Sequence, residues 1–205
     1  MVAGSRIHLV GTIPGFVPDA GRVQAAIHSF APSVIAVGVP AEDLDALALI
    51  IADPHMVEDL EPDDLDAHLL QLLERFGPTH VLPSPDLETA HQSGVPIEAV
   101  DMDDHQHTER YTSLVKLHHL VQRGSVRKRL HKQTFDTAAD PYALVQEWDA
   151  QLLTVKPLAA IEAERETHMA QGIRALTAAH PCVLGILHAA RLPGVARRLR
   201  DVRDE

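Results

Sequence analysis

The sequence predicts an α/β fold: a central sheet flanked by helices, with a helical insertion. Three observations carry this reading. Short apolar runs with the look of buried strands lie at Ile7–Val10, within Pro32–Gly38, at Val95–Val100 and at Cys182–Leu187. Segments with apolar residues at helical spacing separate them. The stretch from about residue 105 to 155 carries helical patterns and no strand signal, which makes it the insertion of an otherwise single domain over 1–205.

The first element is the strand Ile7-His8-Leu9-Val10, and Gly11-Thr12-Ile13-Pro14 reads as the turn after it. Val23-Gln24-Ala25-Ala26-Ile27 opens a helical pattern, and Pro32-Ser33-Val34-Ile35-Ala36-Val37-Gly38 forms the second strand. Strand, turn, helix, strand is a βαβ start, which predicts that the first two strands are parallel neighbours. In open α/β sheets, ligands bind outside the carboxyl ends of the strands.

A helix follows from Ala41 to Ile51, broken at Pro54 because proline disfavours helix in the residue before it. Glu61-Pro62-Asp63-Asp64 starts another, with acids where the helix dipole favours them, and Leu65, Leu69, Leu70, Leu72 and Leu73 form its apolar face. Gly77-Pro78 ends it, and Thr79–Leu82 reads as a short strand or an extended connection. Leu87–Ser93 is a helix closed by Gly94, and Val95–Val100 is the next strand. Thr108–Lys132 is helical and basic, with an interruption expected at Gly124-Ser125. Helices over Tyr142–Leu153, Pro157–Leu176 and Val195–Val202 complete the chain around the strand Cys182–Leu187.

Composition narrows the function. The 205 residues are 45% hydrophobic but only 3% aromatic, so the core must be built from Ala, Leu, Val and Ile. A net charge of −11 argues against a general nucleic-acid or anionic-membrane surface. Few lysines with many Asp and Ala residues fit a GC-rich or salt-adapted source. The lone Cys182 sits in an apolar run and reads as a core residue. No apolar run has the length of a membrane span, and the N-terminus lacks a signal-peptide pattern, so the expected location is cytoplasmic. There is no Gly-x-Ser-x-Gly elbow, no Gly-x-Gly-x-x-Gly and no P-loop, which removes support for serine hydrolase, dinucleotide or nucleoside-triphosphate chemistry.

Four stretches resemble the TraB (pheromone-shutdown) family, related to GumN and to the Tiki metallopeptidases. Leu9-Val10-Gly11-Thr12 and the strand after Pro32 are similar to that family's Leu-Val-Gly-Thr-x-His and Pro-Asp-Val-Val-Ala-Val-Glu-Leu. Leu87–Asp103 resembles its helix, Gly turn and strand ending in Asp-Arg-Asp, and Glu164-Arg165-Glu166-Thr167-His168-Met169-Ala170 resembles Glu-Arg-Asp-x-x-Met-Ala. Leu192-Pro193-Gly194-Val195 stands where the family has Gly-His-x-Pro-Gly-Ile. The resemblance implies a metal-dependent hydrolase scaffold of the TraB/Tiki, EreA/ChaN-like kind. Here, however, Pro14 replaces the first histidine, Gly38 the glutamate, Met102 the arginine and, aligned without a gap, Arg191 the second histidine. Sliding the last turn by three puts His188 there instead. Proline and glycine offer no side-chain ligand, and methionine is too soft for a carboxylate and imidazole site.

The residual pocket is therefore expected from Thr12, Asp101, Asp103, Arg165, Glu166, His188 and Arg191. Arg165 either helps bind substrate, as in an active relative, or ties its helix to the sheet through Asp101 or Asp103. Asp101-Met102-Asp103-Asp104-His105-Gln106-His107 is the densest group of potential ligands. A divalent metal, if one binds, has Asp103, His105, His107 and His188 as candidate ligands. The expectation is a divergent member that has lost the metal site, needs no cofactor and acts by binding a peptide or protein partner or a catalytic relative. One alternative is a metal-dependent peptidase or hydrolase with a relocated site, using Asp101, Asp103, His105 and His188. The other is a structural homo-oligomer, in which the basic run Arg123–Lys132 meets the acidic stretch Glu42–Asp66.

Overall fold

A computed structural model describes residues 5–57, 62–135 and 138–201. In chain order these form β1 (Arg6–Thr12), α1 (Pro18–Phe30), β2 (Val34–Val37), α2 (Ala41–Ala52), a 3-10 turn (Pro54–Val57), α3 (Asp64–Leu73), α4 (Pro85–Gln92) and β3 (Ile97–Ala99). There follow α5 (Asp104–Leu114), α6 (Leu117–Leu130), α7 (Pro141–Leu152), α8 (Lys156–Leu176), β4 (Cys182–His188) and α9 (Leu192–Asp201). The architecture is α/β, a four-stranded parallel sheet with helices on both faces.

The strand order is β1-β4-β2-β3. This corrects the expectation that β1 and β2 are direct neighbours, since β4 lies between them and pairs with both. The chemistry of β4 explains its place. Cys182-Val183-Leu184-Gly185-Ile186-Leu187-His188 is buried along its middle on both faces, as a central parallel strand must be. In β2 the faces alternate with a period of two. Ile35 and Val37, with Val10, Leu184 and Ile186, pack under Val23 and Ala26 of α1 and Ala90 of α4. Val34 and Ala36, with Val183 and Leu187, pack under Met169, Ala170 and Ile173 of α8 and Val195 and Leu199 of α9. Gly185 makes room for the Leu9 side chain of β1, since a Cβ there would lie 2.7 Å from Leu9 Cδ2.

A third apolar cluster lies beyond the carboxyl end of β1. Ile13 and Phe16 join Leu65 and Leu73 of α3, Val126 and Leu130 of α6, and Leu144, Val145 and Trp148 of α7. Helices α6 and α7 thus share a core with α3 and with the loop after β1.

Several boundaries differ from expectation. Gly11 and Thr12 are not a turn but the last residues of β1, paired with Leu187 and His188. The interruption in the basic helical stretch falls at Val115-Lys116, where the backbone turns extended, while α6 runs through Gly124 and Ser125. Gly124 keeps helical backbone and lies inside α6, with open space where a Cβ would sit. The helix expected from Leu87 starts at Pro85 and the one expected from Val195 starts at Leu192. Thr79 makes only an isolated bridge with Phe16, so Thr79–Leu82 is an extended connection. Among the described residues no helix is long and apolar enough to cross a membrane.

Candidate functional site

The carboxyl ends of β1, β4 and β2 lie side by side, and the register sets Thr12 directly opposite His188 and Val37 opposite Ile186. Above this edge opens a cleft with three connected lobes, of about 420, 480 and 320 Å³, each lined in part by Pro14 and His188. The first lobe runs under α2 and α4 and is mainly apolar. The second leads towards Leu69 and Leu70 of α3. The third is charged, bounded by Asp43, Asp149, Glu162, Arg165 and Arg191.

In the charged lobe each guanidinium is matched by carboxylates of the chain itself. Arg165 donates to both oxygens of Asp101, through Nε at 3.2 and 3.1 Å and again through Nη2, and to Glu162 at 3.0 Å. Of the two acids open to Arg165 in the sequence, the fold brings Asp101 to it. Arg191, only 6% exposed, pairs with Asp149 and lies 3.2 Å from Glu162 and 3.8 Å from Glu166. Glu166 is held in turn by Arg198 at 2.5 Å. Glu162 thus links the two arginines, and α8 supplies Glu162, Arg165 and Glu166 from one turn and a third of helix. A Cβ on Gly194 at the start of α9 would collide with the carboxylate of Glu166, so glycine makes the room this acid occupies.

Burial pushes the Asp149 carboxyl up from its ordinary range against the opposing pull of Arg191. His188 is pushed down to about 4, first by burial and then by the positive charges of Arg191 and Arg165. The imidazole is therefore neutral at pH 7. The Ala190 N–H donates to His188 Nδ1 at 3.2 Å, which leaves the ring proton on Nε2. In this arrangement His188 offers the cleft a hydrogen-bond donor.

Of the other sequence-derived candidates, Asp103, His105 and Met102 line none of these lobes, whereas His107 borders a neighbouring cavity of about 450 Å³ shared with Asp149, Glu162 and Arg165. Asp103 caps α5, accepting from the Gln106 N–H at 2.7 Å in a reciprocal capping box. His105 is exposed on α5, and His107 faces Tyr111 with ring centroids 6.3 Å apart. Met102 follows Asp101, whose carboxylate accepts its N–H at 2.7 Å. Among the described residues no three or more His, Cys, Asp or Glu side chains come together in a way that could hold one metal ion. Gly38 forms part of the cleft floor, and a Cβ there would lie 3.0 Å from Leu187 Cδ2 and 3.2 Å from Met169 Sδ. The space a glutamate would need at this position is thus occupied by Met169 and Leu187.

Four cleft residues escaped the sequence reading. Glu162 left a trace as a carboxylate three positions before Arg165 on one helix. Asp149 left none, because its partner Arg191 is 42 positions away. Asp43 and Asp86 stand in the first turns of α2 and α4, where acids are expected for helix-dipole reasons alone.

No protein-family model matches the chain, and no curated protein matches it.

Proposed function

We propose that this chain is a binding protein that uses the cleft at the carboxyl ends of β1, β4 and β2. The observation that carries the reading is the internal neutralisation of Arg165 and Arg191 by Asp101, Glu162 and Asp149. Guanidiniums kept for a substrate's oxyanions would have donors to spare, whereas these are spent on holding α7, α8, β4 and the end of β3 together. The remaining lining is apolar with a few polar groups, the usual composition of a ligand site. Because β4 separates β1 from β2, the reading rests on the cleft and not on the resemblance to the TraB family. That resemblance supplies the competing reading, a metal-dependent hydrolase with a relocated site.

Metal analysis of protein purified without a histidine tag, with peptide hydrolysis assayed in parallel, separates the two. The expected result is a folded protein without stoichiometric transition metal or peptidase turnover. A stoichiometric metal that is lost in His188→Ala or His105→Ala would overturn the binding reading.

A further inference from the structure

The apolar lobe of the cleft has a feature that its apolar walls do not explain: its charged groups are all of one sign. Asp43 and Asp86 line it, and no lysine or arginine does. His188, which also borders the lobe, is neutral. Asp86 is only 3% exposed. One of its carboxylate oxygens accepts the Ser84 hydroxyl at 2.5 Å, and the other has no partner among the described residues. The Thr12 hydroxyl, on a residue 2% exposed, also lacks a hydrogen-bond partner among the described residues. Neither atom is sealed inside the protein, where the only unpaired side-chain atom among the described residues is His68 Nε2. Both open onto the lobe.

A carboxylate oxygen and a hydroxyl that lack protein partners and open onto an apolar lobe are left with lone pairs that a ligand donor can take up in place of water. The positive charge that acts on the rim acid Asp43 is that of Arg165, already matched by Asp101 and Glu162. The two acids do not converge with His188 closely enough to share one small ion, so the lobe suits an extended ligand. Its volume of about 420 Å³ lies in the range of small-molecule sites.

We infer that this lobe binds a small molecule with a protonated amine on an apolar body, the ammonium donating to Asp86 and Thr12 and the apolar part lying along Leu47, Ile50 and Leu87. The inference deepens the binding reading above and rests on it. An ammonium has three donors and no acceptor, which fits a carboxylate and a hydroxyl with free lone pairs. A carboxylate ligand would meet two like charges, and a neutral alcohol would gain no charge-assisted bond.

Calorimetric titration with hexylammonium, hexanol and hexanoate at pH 7 tests this. Hexylammonium is expected to saturate one site and to bind at least about tenfold more tightly than the other two. Asp86→Asn and Asp43→Asn should each weaken it by about tenfold, and Ala46→Lys should abolish it. Asp43 and Ala46 lie at the exposed rim, so those variants test the inference even if Asp86→Asn does not fold. Equal binding of hexanol or hexanoate, unchanged hexylammonium affinity in the rim variants, or no binding by any of the three would overturn it. Binding of hexanoate alone would sink the choice of ligand charge but leave the binding reading standing. A stoichiometric metal lost in His188→Ala would sink the binding reading whatever the amine result.

Discussion

Tyr142 donates its phenolic hydrogen bond to the carboxylate of Asp19, a fully buried acid 123 positions earlier in the chain. The same carboxylate accepts the Ile13 N–H at 2.6 Å and lies 3.2 Å from Arg22, whose guanidinium rests 4.3 Å from the centroid of the Tyr142 ring. One side chain on α1 thus fixes the loop after β1, the rim of the cleft, against α7.

The pairing sets the titration of the phenol. Tyr142 is raised from 10.0 to about 12 by burial and then by the hydrogen bond to Asp19 and its charge. A group whose folded value lies above its unfolded value contributes stability that is complete below the unfolded value. That contribution is lost as pH rises through the folded one. In a Tyr111→Phe background, phenolate absorbance should show a midpoint near 12, moving part of the way towards 10 in Asp19→Asn. An unshifted midpoint in the variant would show that burial alone raises it.

His188 gives the opposite sign. Its folded value, about 4, lies below the ordinary 6.5, so between these two values the unfolded chain binds more protons. Its contribution is present above pH 6.5 and is lost as pH falls towards 4. Asp19 and Asp149, both raised by burial, work against this trend. The comparison is therefore wild type against His188→Gln by urea unfolding at several pH values. The variant should lose less stability than wild type between pH 7 and 5, by on the order of 1–2 kcal/mol. Identical pH profiles would contradict a buried neutral imidazole.

Arg191 holds three acids from a position that is 6% exposed. Arg191→Met leaves Asp149 and Glu162 without it and should cost ~3–5 kcal/mol in chemical denaturation. Arg191→Lys should recover only part, because one ammonium cannot reproduce the planar fork. By contrast, Arg127 meets Asp64 with the side chains 47% and 56% exposed, so Asp64→Ala should cause a small loss that fades in high salt.

Gly194→Ala tests the seat of Glu166. The added methyl would displace the carboxylate and with it the contacts to Arg198 and Arg191, at an expected cost of ~1–3 kcal/mol. In a Glu166→Ala background the same change should cost much less. Additive effects would mean that the glycine and the acid are not competing for one space.

The strands were legible because each is a short apolar run between turn residues, and Arg165 announced a carboxylate partner through its charge. The break at Val115-Lys116 was not, because neither residue type marks a helix end, while Gly124, eight residues past Lys116, lies inside α6. Of the cleft, Thr12, Arg165, His188 and Arg191 could be named from their places after strand ends or on α8, as could Glu166, which lies 3.8 Å from Arg191. Asp149 and Asp86 could not, since an acid at a helix start or on a helix face looks the same whether it meets solvent, an arginine or an empty lobe.

By itself the sequence determined what is local: the α/β class and the helix and strand types. Tertiary structure alone decided that β4 enters between β1 and β2, that Glu162 serves two arginines, and that two acids face one apolar lobe. These are contacts between residues far apart in the chain. They are selected by burying both faces of β4 and by the cost of leaving a buried charge unpaired, neither of which any short window of residues records.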